Sequence, residues 1–214
     1  MFTSRAALGT AERFRRRGLR GSAQTIVDLL TELGPKGMSV LEVGGGVGEI
    51  QVALLESGVA ASAINIELSP NWETAAKAVL AERGLTDRVT RLNGDFVEEA
   101  AALPKADAVI LHRVVCCYPE WKAMLTAAAL QANRFVVVTF PRPRLWFRII
   151  AAIENRFHRF RKRQFRAFIH PPEAMIELLN TSGFPNVADR QGLLWRTVLD
   201  EHALPTASTA GTDQ

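Results

Sequence analysis

An α/β fold built on an open, mostly parallel sheet is predicted by three observations. Short apolar strands alternate with helical segments from about residue 39 to residue 141, and such alternation requires crossover connections, hence parallel strands. Residues 134–140 are apolar almost throughout, as a strand covered on both faces must be. An apolar run also enters Val43-Gly44-Gly45-Gly46-Val47-Gly48, a bare turn of the kind that joins a strand to a helix at a ligand site.

Each element follows in turn. The first strand, Val40-Leu41-Glu42-Val43, runs into glycines at 44, 46 and 48. A helix is expected over 50–57 and a second strand over 62–68. Ser69-Pro70 opens a helix over 71–83 that Gly84 stops. A third strand over 88–92 leads into Asn93-Gly94-Asp95-Phe96, and a fourth covers 106–111. A helix over 120–132 precedes the fifth strand, 134–140. Beyond it the pattern predicts a helix over 172–182 with Gly183 as its cap, then two strand-like pieces, 187–190 and 194–199, able to form an antiparallel hairpin.

Composition points to one soluble domain. A chain of 214 residues, 48% hydrophobic and 22% charged, suits a single core spanning residues 1–204. No apolar run approaches the roughly 20 residues of a membrane span. The arginine-rich start lacks a secretory apolar stretch, so a cytoplasmic protein is expected. Cys116 and Cys117 are adjacent, which makes them poor staples for distant elements, and they read as reduced thiols. No metal-ligand spacing is present, and no metal is expected.

The glycine turn offers helix N–H groups and close backbone approach to a ligand. The dinucleotide pattern G-x-G-x-x-G wants a third glycine where Glu49 stands, and a carboxylate there repels a pyrophosphate. Glu67, about twenty positions past the turn, stands where an acid accepts hydrogen bonds from ribose hydroxyls. Asp95 follows the third strand, as a ligand or as a helix N-cap.

The spacing Glu42-x-Gly44-x-Gly46-x-Gly48 resembles motif I of the class I S-adenosyl-L-methionine-dependent methyltransferases. The segment His112-Arg113-Val114-Val115-Cys116-Cys117-Tyr118-Pro119 resembles that of small bacterial members similar to magnesium-protoporphyrin O-methyltransferases. The resemblance covers residues 39–141 well and 168–199 loosely. It implies a Rossmann-like, doubly wound, seven-stranded sheet, mostly parallel with a C-terminal antiparallel hairpin, and S-adenosyl-L-methionine as cofactor. It implies a donor site formed by Glu42, Gly44, Gly45, Gly46, Gly48, Glu67, Leu68, Asp95, Phe96 and His112, with Asp95 accepting from the adenine amino group and Phe96 covering the ring. The reaction it implies is in-line methyl displacement onto a small, partly apolar acceptor, with oxygen favoured. His112 is the candidate base, against a hydrogen-bonded supporting role, and Tyr118 either orients substrate or caps the next helix. His170, after the fifth strand, faces the substrate or shapes a turn. Rival readings are a non-catalytic cofactor-binding module or partner subunit, an RNA methyltransferase, and a nucleotide-sugar or NAD-linked enzyme.

Charge is uneven. Residues 142–166 carry +8, residues 5–20 carry +5, and the remainder carries −9. Within 145–160, Trp146, Ile149, Ile150, Ile153, Phe157 and Phe160 follow helical spacing while arginines fall between them, which predicts a basic amphipathic insert over 142–166. A lid over the sheet, a membrane-surface contact and a polyanion contact compete for it, and the acidic remainder argues against nucleic acid. Residues 1–30 are expected to form a basic helical cap and 205–214 a disordered tail.

Overall fold

A computed structural model describes residues 3–142, 168 and 170–203. In chain order the elements are α1 (Ser4–Arg17), α2 (Ser22–Leu33), β1 (Met38–Val43), α3 (Glu49–Glu56), β2 (Ala60–Glu67), α4 (Glu73–Glu82), β3 (Val89–Asn93), α5 (Phe96–Glu99), β4 (Ala106–His112), α6 (Trp121–Gln131), β5 (Ala132–Pro141), α7 (Pro172–Thr181), β6 (Asn186–Gln191) and β7 (Trp195–Glu201). The strands form one sheet in the order β3-β2-β1-β4-β5-β7-β6. Strands β1 to β5 pair in parallel, and β7 runs antiparallel to both of its neighbours. This is the doubly wound, seven-stranded sheet with a C-terminal antiparallel pair that was expected.

Apolar alternation along the strands feeds two cores. Val40, Ala108, Ile110, Phe135 and Val137 pack under α1 to α4, while Leu41, Val109, Leu111, Val136, Val138 and Phe140 pack under α5, α6 and α7. Strand β5 is thus buried on both faces, which explains its continuous apolar sequence. The connections reverse direction between β1 and β4. Ligands of open α/β sheets bind beyond the strand ends at such a reversal.

The expected N-terminal cap over 1–30 is two helices. Gly18 and Gly21 both have positive φ, 62° and 57°, and break the segment. Helix α1 buries Ala7, Ala11 and Phe14 against α4, with three arginines in its last turn, where cations suit the helix dipole. Helix α2 is not basic; it buries Ile26, Val27, Leu29 and Leu30 in the sheet layer.

Most boundaries move by one or two residues, and three differences shape the site. The helix expected over 71–83 begins as a 3-10 turn, Pro70–Trp72, because proline suits a first helical turn, and continues as α4. Strand β4 extends one residue further, through His112, because that residue still pairs with Thr139 of β5. The helix that the N-cap alternative at Asp95 requires is the single turn α5, which Asp95 starts by accepting from the Val97 N–H at 2.9 Å. The expected insert over 142–166 and tail over 205–214 lie outside the described residues, Arg142 apart. Among the described residues no helix is long and apolar enough to cross a membrane.

Candidate active site

The glycine turn is held in place by the end of β2. Gly44 donates its N–H to the Ile66 carbonyl at 2.8 Å, and Gly46 donates to Glu67 Oε2 at 3.0 Å. Arg91 donates to the Gly46 carbonyl at 3.0 Å and to Glu73 at 2.8 Å. The turn is therefore clamped at both its donor and its acceptor. At Gly44, φ is 64° and an added Cβ would collide with the Val114 Cγ1, so the loop after β4 and the turn touch there without room for a side chain.

Glu42 lies beneath the turn, 1% exposed, with a single N–H donor, Gln51 N at 3.4 Å. Burial pushes its carboxyl up to about 8, against a weaker pull from that N–H and from Arg91. Asn65 and Gln51 share this buried polar cluster, joined by a 3.3 Å hydrogen bond, and leave Asn65 Oδ1 and Gln51 Nε2 without partners. Glu42 therefore keeps its proton at neutral pH in the free chain, and a cation bound nearby would favour its ionised form.

Glu67 is buried at the end of β2, accepting from Gly46 N on one oxygen and from Ser69 N at 2.9 Å on the other. A carboxylate offers about four acceptor sites. Two therefore stay open, one on each oxygen, a match for a vicinal diol. Leu68 beside it is 64% exposed.

Asp95 is both N-cap and hydrogen-bond hub: Tyr118 donates its hydroxyl to the carboxylate, 3.2 Å to Oδ1 and 3.1 Å to Oδ2. Burial first, then Asp95, pushes the Tyr118 phenol up to about 12. It is thus a neutral donor at neutral pH, and its oxygen joins the end of β3 to the loop after β4. Phe96 is only 3% exposed, packed with the core beneath α5. The ring expected to cover a purine packs with that core in this structure.

His112 and Arg113 converge on α2. Arg113 donates to Ser22 Oγ from Nε at 3.2 Å and from Nη2 at 2.9 Å. With its two lone pairs filled, the Ser22 hydroxyl turns its hydrogen to His112 Nε2, 3.0 Å away. That leaves the imidazole neutral with its proton on Nδ1. Burial, and then the adjacent Arg113 charge, depress its pKa to about 3. The candidate base at His112 is therefore engaged and weakly basic in this arrangement. No local pattern signals this contact, since Ser22 is 90 positions away.

Arg113 was not singled out either, although among the described residues it is the only non-glycine with positive φ, 59°. A bulky residue in that region marks strain at a site that over-determines it. Its guanidinium lies 4.4 Å from the Trp195 ring centroid and pulls on the half-buried Glu49. His170 donates to the Tyr118 carbonyl at 3.0 Å and stacks on Phe168, so it supports the loop after β4. With Val115, Cys116, Phe140, Phe168 and Met175 it lines a crevice beside that loop. Among the described residues no group of three metal-ligating side chains occurs.

A family model described as an O-methyltransferase domain matches residues 9–131. In overall fold the chain is similar to the magnesium protoporphyrin IX methyltransferase of Synechocystis PCC 6803 with SAH bound: TM-score 0.70, 19% identity, over 92% of this chain and 86% of that one. It is similar to an O-methyltransferase family protein of Burkholderia thailandensis, TM-score 0.70, 16% identity, over 94% of this chain and 60% of that one. It also resembles the O-methyltransferase family 2 protein of Planctomyces limnophilus DSM 3776 in complex with apigenin, TM-score 0.67, 15% identity, over 92% of this chain and 62% of that one. The match over more than half its length, on a sheet whose turn and strand ends suit an adenosyl donor, places this chain in the O-methyltransferase family of S-adenosyl-L-methionine-dependent enzymes.

Proposed function

We propose that the chain methylates a hydroxyl of a small, partly apolar acceptor in front of the C-terminal ends of β1 to β4. The observation that carries this reading is Glu67, held by Gly46 N and Ser69 N with an acceptor site open on each oxygen, beside a turn over a buried, uncompensated Glu42. Ribose hydroxyls fit Glu67, the purine amino group fits the free capacity of Asp95, and the exposed Leu68, rather than Phe96, is the apolar side chain placed against the nucleoside. Gly44 to Gly48 leave the backbone bare for the donor's amino-acid portion, and Glu42, protonated in the free chain, can release its proton against the donor's positive charges. Arg113, with the α1 side chain Arg13 also acting on Glu49, supplies the cation for the donor carboxylate. When bound, S-adenosyl-L-methionine supplies an electrophilic methyl group.

The protein's part is then alignment and exclusion of water, which alone lowers a barrier by several kcal/mol. His112 acts by fixing Ser22 and Arg113, and Tyr118 by fixing Asp95; neither is the base in this reading. The neighbours crystallised with apigenin or named for protoporphyrin support an apolar acceptor, and the crevice of Val115, Phe140, Phe168 and Met175, closed even to water in this structure, would have to open to take one. The basic, aromatic-rich stretch 142–166 supports a peripheral contact with an anionic membrane surface that would present such an acceptor.

Purified protein incubated with the donor and a panel of phenols, flavonoids and porphyrins is expected to yield S-adenosylhomocysteine with at least one of them. Binding of donor with no product from any acceptor would favour the binding-module reading. The Arg113 assignment is tested separately: Arg113→Ala should weaken S-adenosylhomocysteine binding about tenfold or more, the scale of a lost charged hydrogen bond. Methylthioadenosine, which lacks the carboxylate, should bind the variant and the parent alike.

A further inference from the structure

We propose that Cys116 and Cys117 are a hydroperoxide-sensitive dithiol that closes reversibly to a disulfide and loosens the wall of the crevice beside it. Their Sγ atoms lie 3.8 Å apart on the 3-10 turn Val115–Cys117 that follows β4, and both residues are half-buried. Proximity of that order lets one sulfur attack the other without moving a domain. The two thiols are also unlike. Pairing of the two sulfurs, and then the nearby Arg113 guanidinium, holds Cys116 below the usual thiol range, while the same pairing pushes Cys117 up.

The chemistry balances within the pair and the oxidant. The Cys116 thiolate attacks one oxygen of a hydroperoxide; an S–O bond forms, the O–O bond breaks, and the other oxygen leaves as water or alcohol. The Cys117 sulfur then attacks the sulfenic sulfur; an S–S bond forms, the S–O bond breaks, and water departs. Two electrons pass from the dithiol to the peroxide, and both thiol protons end on the released oxygens. Consecutive Cα atoms are only about 3.8 Å apart, short of the usual disulfide span of about 4.4–6.8 Å. The ring is therefore strained, and strained disulfides are the easily reduced ones.

The turn is also an anchor. Phe168 donates its N–H to the Cys116 carbonyl at 2.7 Å, and His170 donates to the Tyr118 carbonyl at 3.0 Å. Closing the ring turns the peptide between the two cysteines, and with it the Cys116 carbonyl that Phe168 uses. Phe168 and His170 line the crevice together with Phe140 and Met175. The effect on turnover rests on the reading of this crevice as the acceptor side; formation of the disulfide does not.

Reduced protein is titrated with hydrogen peroxide and followed by intact mass and thiol count. The expected result is loss of two hydrogens and both thiols in the monomer, reversed by dithiothreitol. Cys117→Ser should stop at a sulfenic acid that dimedone traps, and Cys116→Ser should react about tenfold more slowly. Oxidised protein should bind S-adenosylhomocysteine as the reduced form does, while its tryptophan emission shifts through Trp121, whose ring is 5.8 Å from that of His170. Sulfinic acid at Cys116 with Cys117 still free, or disulfide-linked dimers only, would overturn the proposal. A reduced protein that forms the disulfide yet never binds S-adenosylhomocysteine would instead sink the donor site and leave the dithiol standing.

Discussion

At the scale of single residues, Glu42 and Gly44 show how the turn trades stability for a site. Between its ordinary 4.5 and about 8, the folded protein keeps a proton on Glu42 that the unfolded chain has released, so stability falls as pH rises through that window. Asp200, raised to about 6 by burial, acts in the same direction but only below about pH 6. Below about pH 6.5 His112 acts the other way, since the unfolded chain protonates an imidazole that the fold keeps neutral, so the fall from about pH 7 to 8 is the window assigned to Glu42. Glu42→Gln is expected to flatten it in urea unfolding, with a gain at pH 8 of several kcal/mol at most, and to weaken donor binding. An unchanged slope would remove the uncompensated carboxyl from the account. Gly44→Ala is a second case: it meets both positive φ and the Val114 side chain, whereas Gly58→Ala meets positive φ of 73° in open space. The first should cost clearly more than the roughly 1–2 kcal/mol of backbone strain expected for the second. Equal losses in a thermal melt would mean that Val114 moves aside freely.

At the scale of elements, the N-terminal pair of helices covers the sheet face that α3 and α4 leave incomplete. Phe14, 4% exposed, holds α1 to α4 with the Arg83 guanidinium 5.6 Å from its ring centroid. Arg15 and Glu82 form a two-pronged ion pair at 2.6 and 2.7 Å, but on the surface. Phe14→Ala should cost about 3 kcal/mol as a lost buried aromatic, and Arg15→Ala much less, because solvent screens the pair. Chemical unfolding of both variants decides the order, and a reversed order would contradict the packing argument. These helices were also the least legible part of the fold. Strands β1 to β5 announce themselves because each is buried and apolar, and β5 on both faces. Helix α2 was merged with the arginine-rich start because charge dominates residues 5–20 and the break rests on two glycines. Helix α5 is one turn long, too short for a hydrophobic period to show.

At the scale of the whole molecule, the site exists because the two halves of the sheet meet between β1 and β4, and residues far apart in sequence converge there. The glycines and the spacing to Glu67 were readable because they lie within one strand-turn-helix-strand unit. The Ser22–His112–Arg113 cluster was not, since only the fold brings α2 to the end of β4. A ligand that bridges both halves must stabilise the folded chain by mass action. S-adenosylhomocysteine at a hundredfold excess over its Kd should add about 2.7 kcal/mol. For a chain of this size that raises Tm by roughly 5–10 °C. NAD at the same concentration should give almost no shift, because its pyrophosphate would sit against Glu49 at the start of α3 and would hold Glu42 in its protonated form, gaining nothing from it. Glu49→Gly restores the third glycine of the dinucleotide pattern, yet Glu42 remains beneath the turn, so this variant should still prefer S-adenosylhomocysteine in the thermal melt. A variant that switched to NAD would show that one side chain, rather than the arrangement of carboxylates across three strand ends, selects the ligand.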